Sequence, residues 1–342
     1  MLQKYEKKMI LPHLRSLIPF FFVYLSHLTP NFVRRKAESD AMKKIIEAIR
    51  GMFPGRHRGK DVALVLGGGG ARGIAHIGAI EVLEERGYHI TSVAGTSMGA
   101  LVGGLYAAGQ LDELKCRILN LDRKQMVSIM DVSLGLDHIA SGRHLMQLIN
   151  SLIGDVMIED LPIPFCCCAT DVVGGREHVF RSGRLSTAIR SSISIPCVFK
   201  PVSEDGHIYV DGSVHNTLPL DRVVRHEGDL LVAVNVSAPD DEPFTAYLKQ
   251  PVEAPSEAER TLRSRLSFLK TDFSENYMNM ALRIARLSIQ NNTRMALRLT
   301  PPDICVELPM NSFGLFDFDK GEEIIRRGRE EMERELESLC NS

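Results

Sequence analysis

No stretch of this 342-residue chain reaches the ~18 consecutive apolar residues that a membrane-spanning helix needs. The nearest is Leu17–Leu25 (LIPFFFVYL), interrupted by Pro19 and preceded by Lys4, Lys7, Lys8 and Arg15. No A-x-A-like cleavage site follows it. A membrane-surface helix, a packing arm and a weak signal segment all fit, and the surface helix is preferred. A basic excess is also missing. With 41 Lys+Arg against 43 Asp+Glu the formal charge is −2, which disfavours a dedicated nucleic-acid binder. No C-x-x-C pair or His-x-x-x-His spacing is present, so no metal site is expected. The seven cysteines are an odd count and three are adjacent (Cys166-Cys167-Cys168), which reads as reduced thiols in a cytoplasmic setting. No internal repeat or low-complexity tract interrupts an ordinary globular composition, 44% hydrophobic and 25% charged, and wholesale disorder is excluded.

What is present is unevenly placed. Residues 1–60 hold 13 Lys/Arg and 4 Asp/Glu, a local charge of +9, so the remainder carries −11. That asymmetry suggests an interaction surface such as an anionic membrane, with a solvated basic tail as the plain alternative. Four blocks follow from composition. They are a basic extension (1–60), a strand-rich core (61–237), a helical insertion (238–300) and a closing strand and helix (301–342). In the insertion, Tyr277, Met280, Ala281, Ile284, Leu287 and Ser288 recur at helical spacing, with Arg283, Arg286, Arg294 and Arg298 between them. The spacing fits a core-packed helix with a basic outer face, or a lid or lipid-contacting helix.

The strand-rich core alternates in period. Val62–Leu66 is wholly apolar with β-branched members, as a central parallel strand requires. A glycine run and a helix over Ile74–Arg86 follow, then a strand (Ile90–Ala94) and a small-residue helix (Ser97–Ala108). Further strands are expected at Phe165–Asp171, His178–Arg181, Ile208–Val210, Leu230–Val236 and Ile304–Leu308. The pattern predicts a three-layer α/β/α fold with a mainly parallel central sheet.

Two motifs stand at the ends of the first two strands. Gly67-Gly68-Gly69-Gly70-Ala71-Arg72-Gly73 opens a helix, where unpaired N–H groups favour negative charge. The Gly68-x-Gly70-x-x-Gly73 spacing also fits a dinucleotide site, but that site needs an acidic residue ending the second strand. Here the strand ends Ala94-Gly95-Thr96-Ser97, and no Gly-Lys-Ser/Thr marks a P-loop. Gly95-Thr96-Ser97-Met98-Gly99 is G-x-S-x-G, the turn that lifts a nucleophilic serine above a sheet edge. Its position between strand and helix is the context that motif demands. A base is then needed. His215 and His226 satisfy the Ser…Asp…His order only formally, and His226 falls in a charged, helix-like Asp221–Glu227. Asp211-Gly212-Ser213 follows a strand, and a buried carboxylate there can take the serine proton. A plain turn-forming Asp-Gly is the competing reading.

Together these residues resemble the patatin-like phospholipases, in particular bacterial members related to the neuropathy target esterase catalytic domain. The family's G-G-G-x-R/K-G matches Gly68–Gly73, its G-x-S-x-G matches Gly95–Gly99, and its D-G-G/A matches Asp211-Gly212-Ser213. The text between is similar as well, notably Ile74–Ala79 and Ala188–Phe199. The resemblance spans roughly 61–335 and only loosely includes 238–300. It implies a metal- and cofactor-free Ser–Asp dyad with Ser97 as nucleophile and Asp211 as base. Gly68, Gly69 and Gly70 would form an oxyanion hole, supported by Arg72, Gly73, Gly95, Gly99 and Gly212. The substrate implied is a lipid acyl ester, of phospholipid or lysophospholipid type. Ser213 departs from the family's Gly/Ala, and its hydroxyl is expected to hydrogen-bond Asp211 and lower its pKa. Two other functions compete: a nucleotide-binding protein using the glycine loop, and a catalytically silent membrane-associated module. The implied location is cytoplasmic, with peripheral contact at the inner membrane through residues 1–60.

Overall fold

The computed structural model describes residues 60–120, 142–196, 198–240 and 275–341. The basic extension up to residue 59, the earlier part of the helical insertion and Cys197 lie outside them.

Apolar runs make the centre of the sheet. β1 (Asp61–Leu66) leads through a 3-10 turn (Gly70–Ile74) into α1 (Ala75–Glu85) and β2 (His89–Thr96). Then come α2 (Met98–Ala107), α3 (Leu111–Leu119), α4 (Arg143–Ile153) and β3 (Phe165–Asp171). β4 (Arg176–Phe180), α5 (Leu185–Ser192), β5 (Val202–Glu204), β6 (His207–Asp211) and β7 (Leu230–Ala238) follow. The described chain closes with α6 (Glu275–Leu299), β8 (Ile304–Pro309) and α7 (Gly321–Asn341). The strand order is β5-β6-β3-β2-β1-β7-β8, with β4 on the other edge of β3. From β3 to β8 all pairs are parallel, whereas β4, β5 and β6 join antiparallel.

Alternation along β1 divides the core. Val62, Leu64 and Leu66 point into a large cluster with α1, α2, α3, α4, α5 and α7. Ala63 and Val65 point the other way, onto Leu218, Leu220 and the Ala296 and Leu297 side of α6. The result is three-layer α/β/α with one thick and one thin helical layer. Every residue of β3 is buried, its cysteines acting as small hydrophobes, and burial pushes the Cys166 thiol up to about 11.

Three findings differ from the sequence expectation. Helices α3, α4 and α5 were not anticipated from periodicity. Asp221–Glu227 is turn and extended chain, not helix. Its carbonyls are taken by side chains: Arg181 Nη2 donates to Arg222 O at 2.6 Å, and Ser92 Oγ donates to Val224 O. On α6 the basic-outside pattern is reversed for Ile284 and Leu287, which are exposed, while Arg283 and Arg286 reach the inward Asp240.

Candidate active site

β3 brings the two motif residues together. Residues Cys167–Asp171 pair with β4 along one edge, so β2 and β6 must share the other. β2 arrives parallel and ends opposite Cys168, whereas β6 arrives antiparallel and ends opposite Ala169. The two strands therefore meet end to end. Ser97, one residue past β2, and Asp211, the last residue of β6, face each other across that junction.

Ser97 sits in a tight turn with φ +54°, a conformation that L side chains rarely adopt. Several contacts impose it. Its carbonyl accepts from Ala100 N and Leu101 N at 2.9 and 3.1 Å, opening α2. Its own N–H donates to Ser192 Oγ at 2.8 Å, and that hydroxyl donates to Cys168 O at 2.6 Å. A Cβ on Gly95 would lie 2.3 Å from Gly99 O, and one on Gly99 would lie 2.0 Å from Leu66 O. The Ser97 hydroxyl donates to Asp211 Oδ2 at 2.5 Å.

Asp211 is 4% exposed, and its pKa is raised because burial penalises the charged form. Hydrogen bonds from Ser97, from the Ser213 N–H (2.8 Å to Oδ1) and from the Ser213 hydroxyl pull it back down. The Asp211 backbone is fixed by Ser194 O and by Thr170 Oγ1, and Gly212 packs against Cys168 O. Neither His215 nor His226 hydrogen-bonds Ser97 or Asp211; His215 Nδ1 lies 3.4 Å from Thr170 Oγ1.

The glycine loop is anchored peptide by peptide. Gly67 N–H donates to Val234 O, and Gly67 O accepts from His76 Nε2 at 2.8 Å. His76 is fully buried, which lowers its pKa to about 4 and keeps the ring neutral. Gly68 N–H donates to Thr217 O at 2.9 Å, and Gly68 O accepts from Ser237 Oγ at 2.6 Å. This corrects the expectation for Gly68 as an oxyanion donor, because its N–H is already engaged. Gly68 serves by its smallness, since a Cβ there would stand 2.3 Å from Ser213 Oγ and 3.2 Å from Ser97 Cβ. Among the described residues no hydrogen bond engages the N–H of Gly69 or Gly70. Buried Arg72 clamps the far side, with Nε on Val236 O (2.8 Å) and Nη1 on Phe313 O (2.9 Å), and Gly73 packs on Met98. Ser192, Ser237 and His76 are thus site-building residues that motif reading passed over.

Ser97 opens into a cavity of about 100 Å³. Met98 and Leu101 of α2, Leu114 and Ile118 of α3, and Leu145 and Leu148 of α4 line it, and among the described residues Ser97 is the only polar side chain in the lining. Among the described residues, no three His, Cys, Asp or Glu side chains gather as metal ligands.

A strand-end serine turn, a glycine loop on the neighbouring strand and an α/β/α frame define a patatin-type domain. Residues 64–224 match the family model described as patatin-like phospholipase, and over part of its length the chain is similar to NTE family proteins. It is 41% identical over 182 residues to an uncharacterized NTE family protein of Mycobacterium tuberculosis, covering 53% of this chain and 51% of that one. It is 33% identical over 195 residues to neuropathy target esterase sws of Drosophila melanogaster, covering 55% and 14%. To lysophospholipase NTE1 of Pyricularia oryzae it is 30% identical over 284 residues, covering 79% and 18%. The chain thus spans about half the length of the mycobacterial relative and less of the other two.

Proposed function

We propose that this chain is a serine lipid acyl hydrolase of phospholipase or lysophospholipase type, working through a Ser97–Asp211 dyad. The observation that carries the reading is the 2.5 Å hydrogen bond from Ser97 Oγ to a buried carboxylate at the mouth of an apolar cavity. An acyl chain fills such a cavity without leaving polar groups unpaired, which a nucleotide does not. Ser97 Oγ attacks the ester carbonyl while its proton passes to Asp211 Oδ2. The N–H groups of Gly69 and Gly70 hold the developing oxyanion, worth roughly 3 kcal/mol per well-placed donor. The carbonyl re-forms, the alcohol leaves with the proton from Asp211, and water repeats the sequence on the acyl-serine to release the fatty acid. The names of the relatives, an esterase and a lysophospholipase, support the same class. No helix among the described residues is long and apolar enough to cross a membrane. Peripheral contact through residues 1–60 at the inner face of the cytoplasmic membrane completes the proposal.

A serine-reactive fluorophosphonate tests it. The intact chain is expected to be labelled and to hydrolyse a lysophospholipid, and Ser97→Ala to do neither. Equal labelling of both would refute the nucleophile.

Two further outcomes follow from the same geometry. Asp211 must be ionised to act, so kcat/KM falls as pH drops through its raised pKa. Ser213 donates to the ionised form and opposes that rise. Ser213→Ala therefore moves the acidic limb of the pH profile to higher pH; an unmoved limb contradicts the role. The second outcome concerns Ser237. A trans peptide aims C=O and N–H in opposite directions, so holding Gly68 O on Ser237 Oγ fixes where Gly69 N–H points. Ser237→Ala is expected to lower kcat about tenfold with KM little changed, a fraction of the loss for deleting a donor outright. Ser237→Thr restores most of it. A rise in KM alone would show that the hydroxyl does not aim the N–H.

A further inference from the structure

Helix α6 packs Ala296 and Leu297 onto the core beside several inward polar side chains, and leaves four large apolar side chains in solvent. From residue 283 onward, Arg283, Arg286, Gln290 and Thr293 face inward at helical spacing. Gln290 and Thr293 are 6% and 2% exposed, and Arg283 Nη1 and Arg286 Nη2 donate to Asp240 at 2.8 and 3.1 Å. The opposite stripe runs through Ile284, Leu287 and Met295, which are 57%, 48% and 46% exposed, and ends beside Leu299 at 78%. Between residues 283 and 299 there are four arginines and no acidic residue. Two of them, Arg294 and Arg298, are exposed along the stripe.

We propose that this outer face of α6 docks on an anionic phospholipid surface. Apolar side chains with cations and the neutral Ser288 and Asn291 beside them, and no acidic residue on that stretch of helix, suit a helix lying in an anionic headgroup layer. Charge separates this occupant from the others. Residues 1–60 carry +9, and a second copy of the chain would bring the same four arginines, so either would set like charges against the stripe. The helix is also tied to the site. Asn292 Nδ2 donates to Val214 O at 3.3 Å, three residues past Asp211, and Val214 is itself half exposed. At the other end, the Arg286 charge is felt by Arg72 behind the glycine loop. A bilayer seated on α6 therefore lies beside the segment that carries Asp211. The inference deepens the lipid-hydrolase reading, but docking itself does not require Ser97 to react.

Flotation with vesicles is the test, using the full chain carrying Ser97→Ala so that no lipid is consumed. The parent is expected to float with phosphatidylcholine vesicles containing phosphatidylglycerol, poorly with pure phosphatidylcholine, and less as salt rises. Adding Ile284→Glu and Leu287→Glu is expected to cut binding at least about tenfold. Arg294→Glu with Arg298→Glu should cut it by a similar factor, about tenfold. Unchanged Tm in both variants shows that the fold is kept, as expected for exposed positions. Flotation of both variants equal to the parent, equal binding to neutral vesicles, or no binding by the parent would each overturn the proposal. Because every protein compared lacks the nucleophile, failure here is distinct from failure of the fluorophosphonate experiment.

Discussion

Asp211→Asn is expected to lower kcat on an ester substrate by about 10²–10⁴-fold, the usual contribution of a positioned base. The amide has the carboxylate's shape and can still accept the Ser97 hydroxyl bond, but it cannot take the proton. Geometry is therefore kept while chemistry is lost. Stability provides the control. Burial raises the Asp211 pKa, so near neutral pH the folded state holds a charge it disfavours. Above the raised pKa that ionised group detracts from folding, and a neutral amide removes the penalty. Tm is expected not to fall, and a thermal melt alongside the kinetics checks this. A large drop in Tm would assign the lost activity to misfolding. Full activity with a required histidine would instead return the site to a triad.

Gly99→Ala is expected to be the most destabilising single methyl group near the site. The added carbon would stand 2.0 Å from Leu66 O and 2.5 Å from Leu66 C, backbone atoms that cannot rotate away. Either α2 shifts off the end of β1 or the Ser97 turn opens. Overpacking of this kind costs about 3 kcal/mol or more, which lowers Tm by about 5 °C. Activity is expected to fall further than stability alone explains, because Gly99 lies two residues after Ser97, whose φ of +54° the turn must hold. A differential scanning melt and the residual kcat of the folded fraction read the two effects separately. A variant with wild-type Tm would show that the helix moves freely there.

Ser97, Asp211 and the glycine loop were legible because each depends on a local pattern, a turn chemistry fixed by neighbours in sequence at the end of an apolar run. The parallel strands were legible for the same reason. The meeting of Ser97 with Asp211 was legible only through the family resemblance, since it depends on β6 entering antiparallel beside β2 on a shared edge of β3, a pairing between distant segments. Ser192 and Ser237 act over 95 and 169 residues, and a serine in a helix or at a strand end carries no local mark of such a partner. His76 was closer to view, nine residues from the carbonyl it holds, within the Ile74–Ala79 text that resembles the family. The Asp221–Glu227 error has the opposite cause. Its local pattern favours a helix, but Arg181 and Ser92 claim its carbonyls from elsewhere in the fold. The glycine loop held a similar ambiguity. Three glycine N–H groups looked equivalent until the Thr217 carbonyl was found to occupy one.

The end-to-end junction of β2 and β6 also bears on how the chain acquires activity. The two proposed dyad residues are 114 positions apart, and no smaller closed unit contains both. Closing a loop of that length is entropically unfavourable until β3 has seated against β2 and offered its remaining edge to β6. A chain released before residue 211 would hold a serine turn with no proton acceptor. During synthesis Ser97 emerges 95 residues before the Ser192 hydroxyl that helps hold its turn and 114 before Asp211, so both the turn and its proposed proton acceptor wait on the completed sheet.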